Sequence, residues 1–269
     1  MLNLFRKIRL KLLDEGNLKR YLIYAVGEIL LVVIGIIIAF QLDDWNSNRI
    51  EREQEKQHLS SMRGDLENDI ININKAISGN EVLSNGLDTL LGMLADPPSE
   101  KERQRLLYLY SVKYTYWYMT VEFSELTLSQ LKNTGSFQLI NDKEVAKAIL
   151  QYDHGIEVCK QEYTEQTIYY HELESTQKKI FDLSLAKEMF EYLASDYMNM
   201  FASMDKFEDL TKNGEYFVSI NPELINKYYG DVLYYQSQLN VIKLLLSEQK
   251  KMAESLTLLI DKRYGVNNH

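Results

Sequence analysis

The chain is short of the residues that break, cross-link or decorate a fold: one cysteine, three prolines, twelve glycines and four histidines in 269 residues. A lone Cys159 excludes an internal disulfide framework; it suits a reduced compartment and a cysteine-poor envelope protein equally well. So few prolines and glycines, beside abundant Leu, Ile, Glu, Lys and Gln, leave little room for turns and predict long helices. Zinc needs clustered Cys or His, and His58, His154, His171 and His269 stand far apart in the chain. A carboxylate-bridged di-metal bundle needs two inward Glu-x-x-His pairs, and only Glu55-x-x-His58 is present. There is no glycine-rich phosphate loop, dinucleotide fingerprint or nucleophile elbow. No catalytic residue, metal or cofactor is assigned, and a non-enzymatic protein is expected. A site built from scattered Glu, Tyr and Asn is the weakest functional reading.

Positive charge is scarce beyond the first residues. The chain carries a net −9, yet residues 1–20 hold six basic side chains against Asp14 and Glu15. The remainder is therefore more acidic than the whole, which disfavours nucleic acid and anionic lipid as its partners.

What the sequence does have is one long apolar run, Tyr21–Leu42, with Glu28 as its single charge. Its 22 residues match the roughly 20 that a helix needs to cross a bilayer's hydrocarbon layer. Only a helix or a closed barrel satisfies its own backbone in lipid, and one segment cannot close a barrel. Tyr21, Tyr24 and Trp45 stand where interfacial aromatics belong. A cleaved signal peptide would also begin basic and then apolar. The run is too long for one, however, and Ala39-Phe40-Gln41 lacks the small-x-small cleavage pattern. A buried core helix would seldom run so far without polar relief. The expected division is a basic cytoplasmic tail (1–20), a transmembrane helix (21–42) and an extracytoplasmic body (43–269). The positive-inside rule sets this orientation. Residues 2–13 have the spacing of a basic amphipathic helix that lies on an anionic leaflet, or form a topogenic charge cluster. Glu28 lies about 10 Å into the span, where a carboxyl protonates, reaches the interface or meets another membrane helix. Gly35 and Ala39 give a small-xxx-small spacing for close helix approach.

The segment GEILLVVIGIIIAFQLDDWN (Gly27–Asn46) resembles the N-terminal signature of an uncharacterised family of bacterial single-span membrane proteins. The segment SELTLSQLKNTGSFQLINDKEVAKAILQYD (Ser124–Asp153) resembles that family's second recurrent stretch. The resemblance implies a bacterial envelope protein, anchored in the inner membrane, with a helical part in the periplasm. It implies no activity, because the family has none known.

Beyond the run, residues 46–58 read as a polar helical stalk. A core stripe follows at Leu59, Met62, Leu66, Ile70, Ile73 and Ile77, with Ser78-Gly79-Asn80 as its expected stop. Residues 81–95 read as a shorter helix, and Ser99 with Glu102 as a capping box for a helix reaching about Ser111. Residues 112–120, VKYTYWYMT, read as an irregular or extended connection. Residues 122–133 read as a helix stopped at Thr134-Gly135. Asn141 or Asp142 caps a long helix to about Asp182. Its stripe is Val145, Ile149, Tyr152, Ile156, Cys159, Tyr163, Tyr170, Leu173 and Ile180, with Gln166 and Gln177 between them. A helix over 184–207 and a turn at Asn213-Gly214 come next. Asn221-Pro222 then opens the last helix, with a stripe at Tyr228, Val232, Tyr235, Leu239, Ile242, Leu246, Gln249, Ala253, Leu256 and Ile260. Three long helices with matching seams predict an all-α fold: one transmembrane helix continuing into an elongated antiparallel bundle.

Two functions fit. One is a protein-interaction or scaffold module that binds a partner protein or its own copy. The other is a small-molecule sensor that relays a shift through the stalk to a membrane partner. The candidate surface is Tyr114, Tyr116, Trp117 and Tyr118, set against the plainer possibility that these rings finish the core. Gln166, Gln177 and Gln249 either fix helix register or line a small polar pocket.

Overall fold

A computed structural model describes residues 18–96 and 99–265. The basic segment 2–13 lies outside the described residues. Among them the fold is all-α, with no strand beyond a single bridge between Phe181 and Phe217. The helices are α1 (Leu18–Ala95), α2 (Lys101–Thr115), α3 (Leu126–Asn133), α4 (Lys143–Ile180), α5 (Lys187–Ser195), α6 (Met204–Leu210) and α7 (Pro222–Tyr264). The chain divides into two units, to Gln57 and from His58. In the first, residues 18–57 are helical and their apolar side chains from Leu22 to Leu42 face outward on every side.

In the second unit, three helical stretches pack by their seams. Arg63 pairs with Asp261, Glu81 with Lys243, and Gln236 bonds Asp88, so α7 runs antiparallel to this part of α1. Glu144 pairs with Arg263 and Thr176 bonds Asp231, so α7 is antiparallel to α4 as well. Every α7 stripe residue read from the sequence is buried, as are all those of α4 except Tyr170, which is partly buried. The α1 stripe buries Leu59, Met62, Leu66 and Ile73, with Ile70 and Ile77 partly buried. Apolar stripes at helical spacing bury themselves against one another, and this burial drives the assembly. Local chemistry marks the ends. The Asp142 carboxylate accepts from the N–H groups of Glu144 and Val145, and the Asn221 side chain accepts from Glu223 N–H with Pro222 behind it. Gly135, at φ 71°, follows α3 in the left-handed conformation that glycine adopts without strain.

Four sequence expectations are corrected. First, Ser78-Gly79-Asn80 does not stop α1, which continues to Ala95 and absorbs the separate helix expected over 81–95. Glycine is unfavourable in a helix by only about 1 kcal/mol, and tertiary contact overrides that here. A β-carbon on Gly79 would lie 2.2 Å from Met119 Sδ, and one on Gly86 would lie 2.2 Å from the Tyr114 ring. These glycines let neighbours press against the helix backbone. Second, α2 begins at Lys101 with no side-chain cap, so the Ser99–Glu102 capping box does not form; α2 also runs on to Thr115 because Ser111, Val112, Lys113 and Thr115 are buried. Third, α3 starts only at Leu126, and residues 117–125 form neither helix nor strand. Fourth, residues 184–207 are not one helix. Asp182 and Asp196 accept from the backbone N–H groups two residues ahead, of Ser184 and Met198, and each opens a short 3₁₀ turn.

The two kinds of α1 glycine should respond oppositely to alanine. Gly92 has open space around it, so Gly92→Ala is expected to raise stability by about 0.5–1 kcal/mol. Gly86→Ala is expected to lower it by about 1–3 kcal/mol through overpacking against Tyr114. Equilibrium unfolding of both variants checks this.

Candidate functional site

The N-terminal helix presents apolar surface that is largely uncovered among the described residues. Leu31 is 67% exposed and Phe40 is 66% exposed, and the most apolar stretch of the helix contains no buried residue. By length and composition it is long and apolar enough to cross a membrane. Gly35 and Ala39 lie one turn apart on it, and a β-carbon on Gly35 would meet nothing within 4 Å. Glu28 is half-buried on the same helix. Beyond the apolar stretch, the Arg49 guanidinium lies 6.0 Å from the Trp45 ring centroid.

The aromatic stretch turns mostly inward. Tyr114 sits in α2 against Gly86 and Tyr110. Tyr116 meets Trp117 edge-on and tilts over Phe190, while Trp117 meets Tyr197. Two tyrosines of the long helices pin the backbone here: Tyr170 OH donates to the Tyr116 carbonyl (2.9 Å) and Tyr235 OH donates to the Trp117 carbonyl (2.5 Å). Tyr118, beside Tyr170, remains 41% exposed. The structure thus brings Tyr116 and Trp117 together as packing rings, leaves Tyr118 at the rim, and puts Tyr114 on a different element.

A polar node that sequence reasoning missed joins three segments. Asp69 is fully buried on the α1 stripe. Its Oδ1 accepts from Ser124 N–H and its Oδ2 from Tyr152 OH, both at 2.6 Å. One turn earlier, Asp65 accepts from Thr127 N–H at 3.2 Å. These two carboxylates satisfy N–H groups at the start of α3, which has no cap of its own. These bonds fix where α3 begins, after Glu125. Burial raises the Asp69 pKa from its ordinary value, against the opposing pull of the Tyr152 and Ser124 hydrogen bonds. The signal was present in the sequence: an aspartate at a seam position, three residues after Leu66 and four before Ile73.

The seam glutamines have different fates. Gln177 donates to Ser111 Oγ (3.0 Å) and Thr115 Oγ1 (2.9 Å), and Ser111 shares a hydrogen bond with the Tyr228 hydroxyl. Gln166 is fully buried with no hydrogen-bond partner on either amide atom, and Asn80 on α1 is in the same state. Gln249 donates to the Tyr152 carbonyl at 2.9 Å, while its Oε1 has no partner. Lys113 is buried over the Tyr114 and Phe207 rings and donates to the Ala202 carbonyl; burial lowers its pKa to about 8. His171 lies near Glu174 at the surface. Among the described residues no group of three or more His, Cys, Asp or Glu is placed to hold a metal ion.

A family model described as a family of unknown function (DUF6090) matches residues 28–202. That range takes in the apolar stretch from Glu28 onward, both carboxylates of the node, Ser124 and Tyr152, and stops before α6 and α7. No curated protein and no solved structure matches the chain.

Tyr152→Phe removes one donor from a buried carboxylate and is expected to destabilise the body by about 1–3 kcal/mol. Asp69→Asn keeps an acceptor for Ser124 N–H and offers Tyr152 a donor, so it should cost less. The folded pKa of Asp69 is raised, so the stability contributed by its neutral form is present below the ordinary carboxylate pKa. That contribution is lost as pH rises through the folded value. Thermal unfolding against pH should show this loss in the native chain and not in Asp69→Asn.

Proposed function

We propose, for a chain that belongs to the family of unknown function DUF6090, that it is a membrane-anchored helical module of the bacterial envelope, engaging a partner protein or its own copy. The uncovered apolar helix at Leu22–Leu42 carries this reading. In water, so much continuous apolar surface is strongly unfavourable; within a bilayer it is the favoured state. The basic residues before it and Asp43 and Asp44 after it favour a cytoplasmic N-terminus and a body on the periplasmic side. Gly35 and Ala39 offer a face for a second membrane helix.

The described side chains suit a structural role better than a chemical one. The body's ionisable groups are mostly paired at the surface, as in Lys132–Asp153 and Lys160–Glu125. Two of those that are buried, Asp69 and Lys113, are held by hydrogen bonds within the fold. A cleft between α4 and α7 favours the second reading, a sensor of a small molecule.

Crosslinking in intact cells followed by mass spectrometry tests the proposal. Crosslinks are expected from lysines of the body, or from the span, to one recurrent membrane protein or to a second copy. A chain that yields only intramolecular crosslinks, and runs as a partnerless monomer in mild detergent, is not such a module.

A further inference from the structure

The α4–α7 interface opens into a cavity of about 500 Å³ beside Gly155. Ligand pockets span roughly 300–1,000 Å³. Val158, Cys159, Leu245 and Met252 form its apolar walls, Gln151, His154 and Glu248 add polar side chains, and Gly155 contributes no side chain. A second cavity, of about 220 Å³, shares Met252 and Glu248 with the first. Gln249 supplies the polar feature. It is 1% exposed, and its Oε1 has no hydrogen-bond partner. The amide cannot be turned round, because its nitrogen donates to the Tyr152 carbonyl, which accepts only. The free oxygen therefore stays over Gly155, which with Gln249 lines the cavity: a β-carbon there would lie 2.0 Å from Oε1 and 3.1 Å from Met252 Cε. Met252, unbranched and partly exposed, lines the same cavity and moves at little cost.

We propose that this cleft binds an uncharged small molecule with an apolar body and one N–H or O–H donor, the donor bonding Gln249 Oε1 once Met252 swings aside. The apolar walls favour an apolar body. The charge at the rim is already answered, since Glu248 pairs with Lys251 at 2.7 Å, so a charged ligand gains little. A buried acceptor without a donor destabilises the empty protein, and a ligand that supplies the donor recovers that energy. The Cys159 thiol takes no covalent part; burial pushes its pKa up to about 11 and keeps it protonated. The inference stands whether or not α1 lies in a bilayer.

The test uses the full chain in lipid nanodiscs, with 2-naphthol and 2-methoxynaphthalene as probes, the second having a methyl group in place of the donor hydrogen. Binding is measured by calorimetry, with empty nanodiscs subtracted. The donor-bearing naphthol is expected to bind about tenfold more tightly, which is the worth of one buried hydrogen bond. Gln249→Met should reduce that ratio to within about twofold. No binding above empty nanodiscs, equal binding of the two probes, or a ratio that survives Gln249→Met overturns the proposal. If Gln249→Met does not fold, Val158→Phe on the partly exposed wall decides instead: loss of both probes supports the site, and unchanged binding removes it.

Discussion

Apolar surface has to be covered. For Leu22–Leu42 no other part of the described chain does so; the side chains point outward all round, with one carboxyl among them. The proposed location and role both follow from that constraint. A soluble core helix would show a polar face or a buried one, and this segment shows neither. In the proposed anchoring, lipid takes the place of protein, the helix satisfies its own backbone, and the acidic body is left to fold in water by other means.

The body folds by burying three seams, and polar groups set into those seams decide how they align. Apolar contacts alone tolerate sliding by a turn; a buried polar contact does not. Asp69 is the clearest case. It meets Tyr152 on α4 and a backbone N–H ahead of α3, so a one-turn slip of α1 would leave a buried carboxylate without donors. The Ser111, Thr115, Gln177 and Tyr228 cluster sets a second level farther along the bundle. Asn80 and Gln166, buried with their amides unpaired, are a cost that register alone does not explain. Each costs about 1–3 kcal/mol in a core that an apolar residue would fill.

Much of this architecture was legible from residue order. The α4 and α7 stripes could be read almost residue for residue, because each is an uninterrupted three-four spacing closed by an Asp or Asn-Pro cap. Where the reading failed, tertiary contact had outweighed local preference. Gly79 looked like a stop and is a contact point for Met119; residues 184–207 looked like one helix and are broken by side chain-to-backbone bonds at Asp182 and Asp196. The aromatic stretch reads either as a candidate surface or as rings that finish the core, and what holds its backbone is not visible in that reading: its own carbonyls accept from Tyr170 and Tyr235. Such pairings, with long sequence separation, have no local signature. Of the candidate ligand residues, Gln249 was visible as a polar break in an apolar seam. The cavity beside it depends on Gly155 of another helix and was not.

The account rests most heavily on the apolar helix lying in a membrane with the body outside it. Protease added to intact spheroplasts measures this directly. The account predicts that residues 43–269 are digested from outside, leaving a short membrane-bound fragment. A body that stays uncut until the membrane is opened would contradict it.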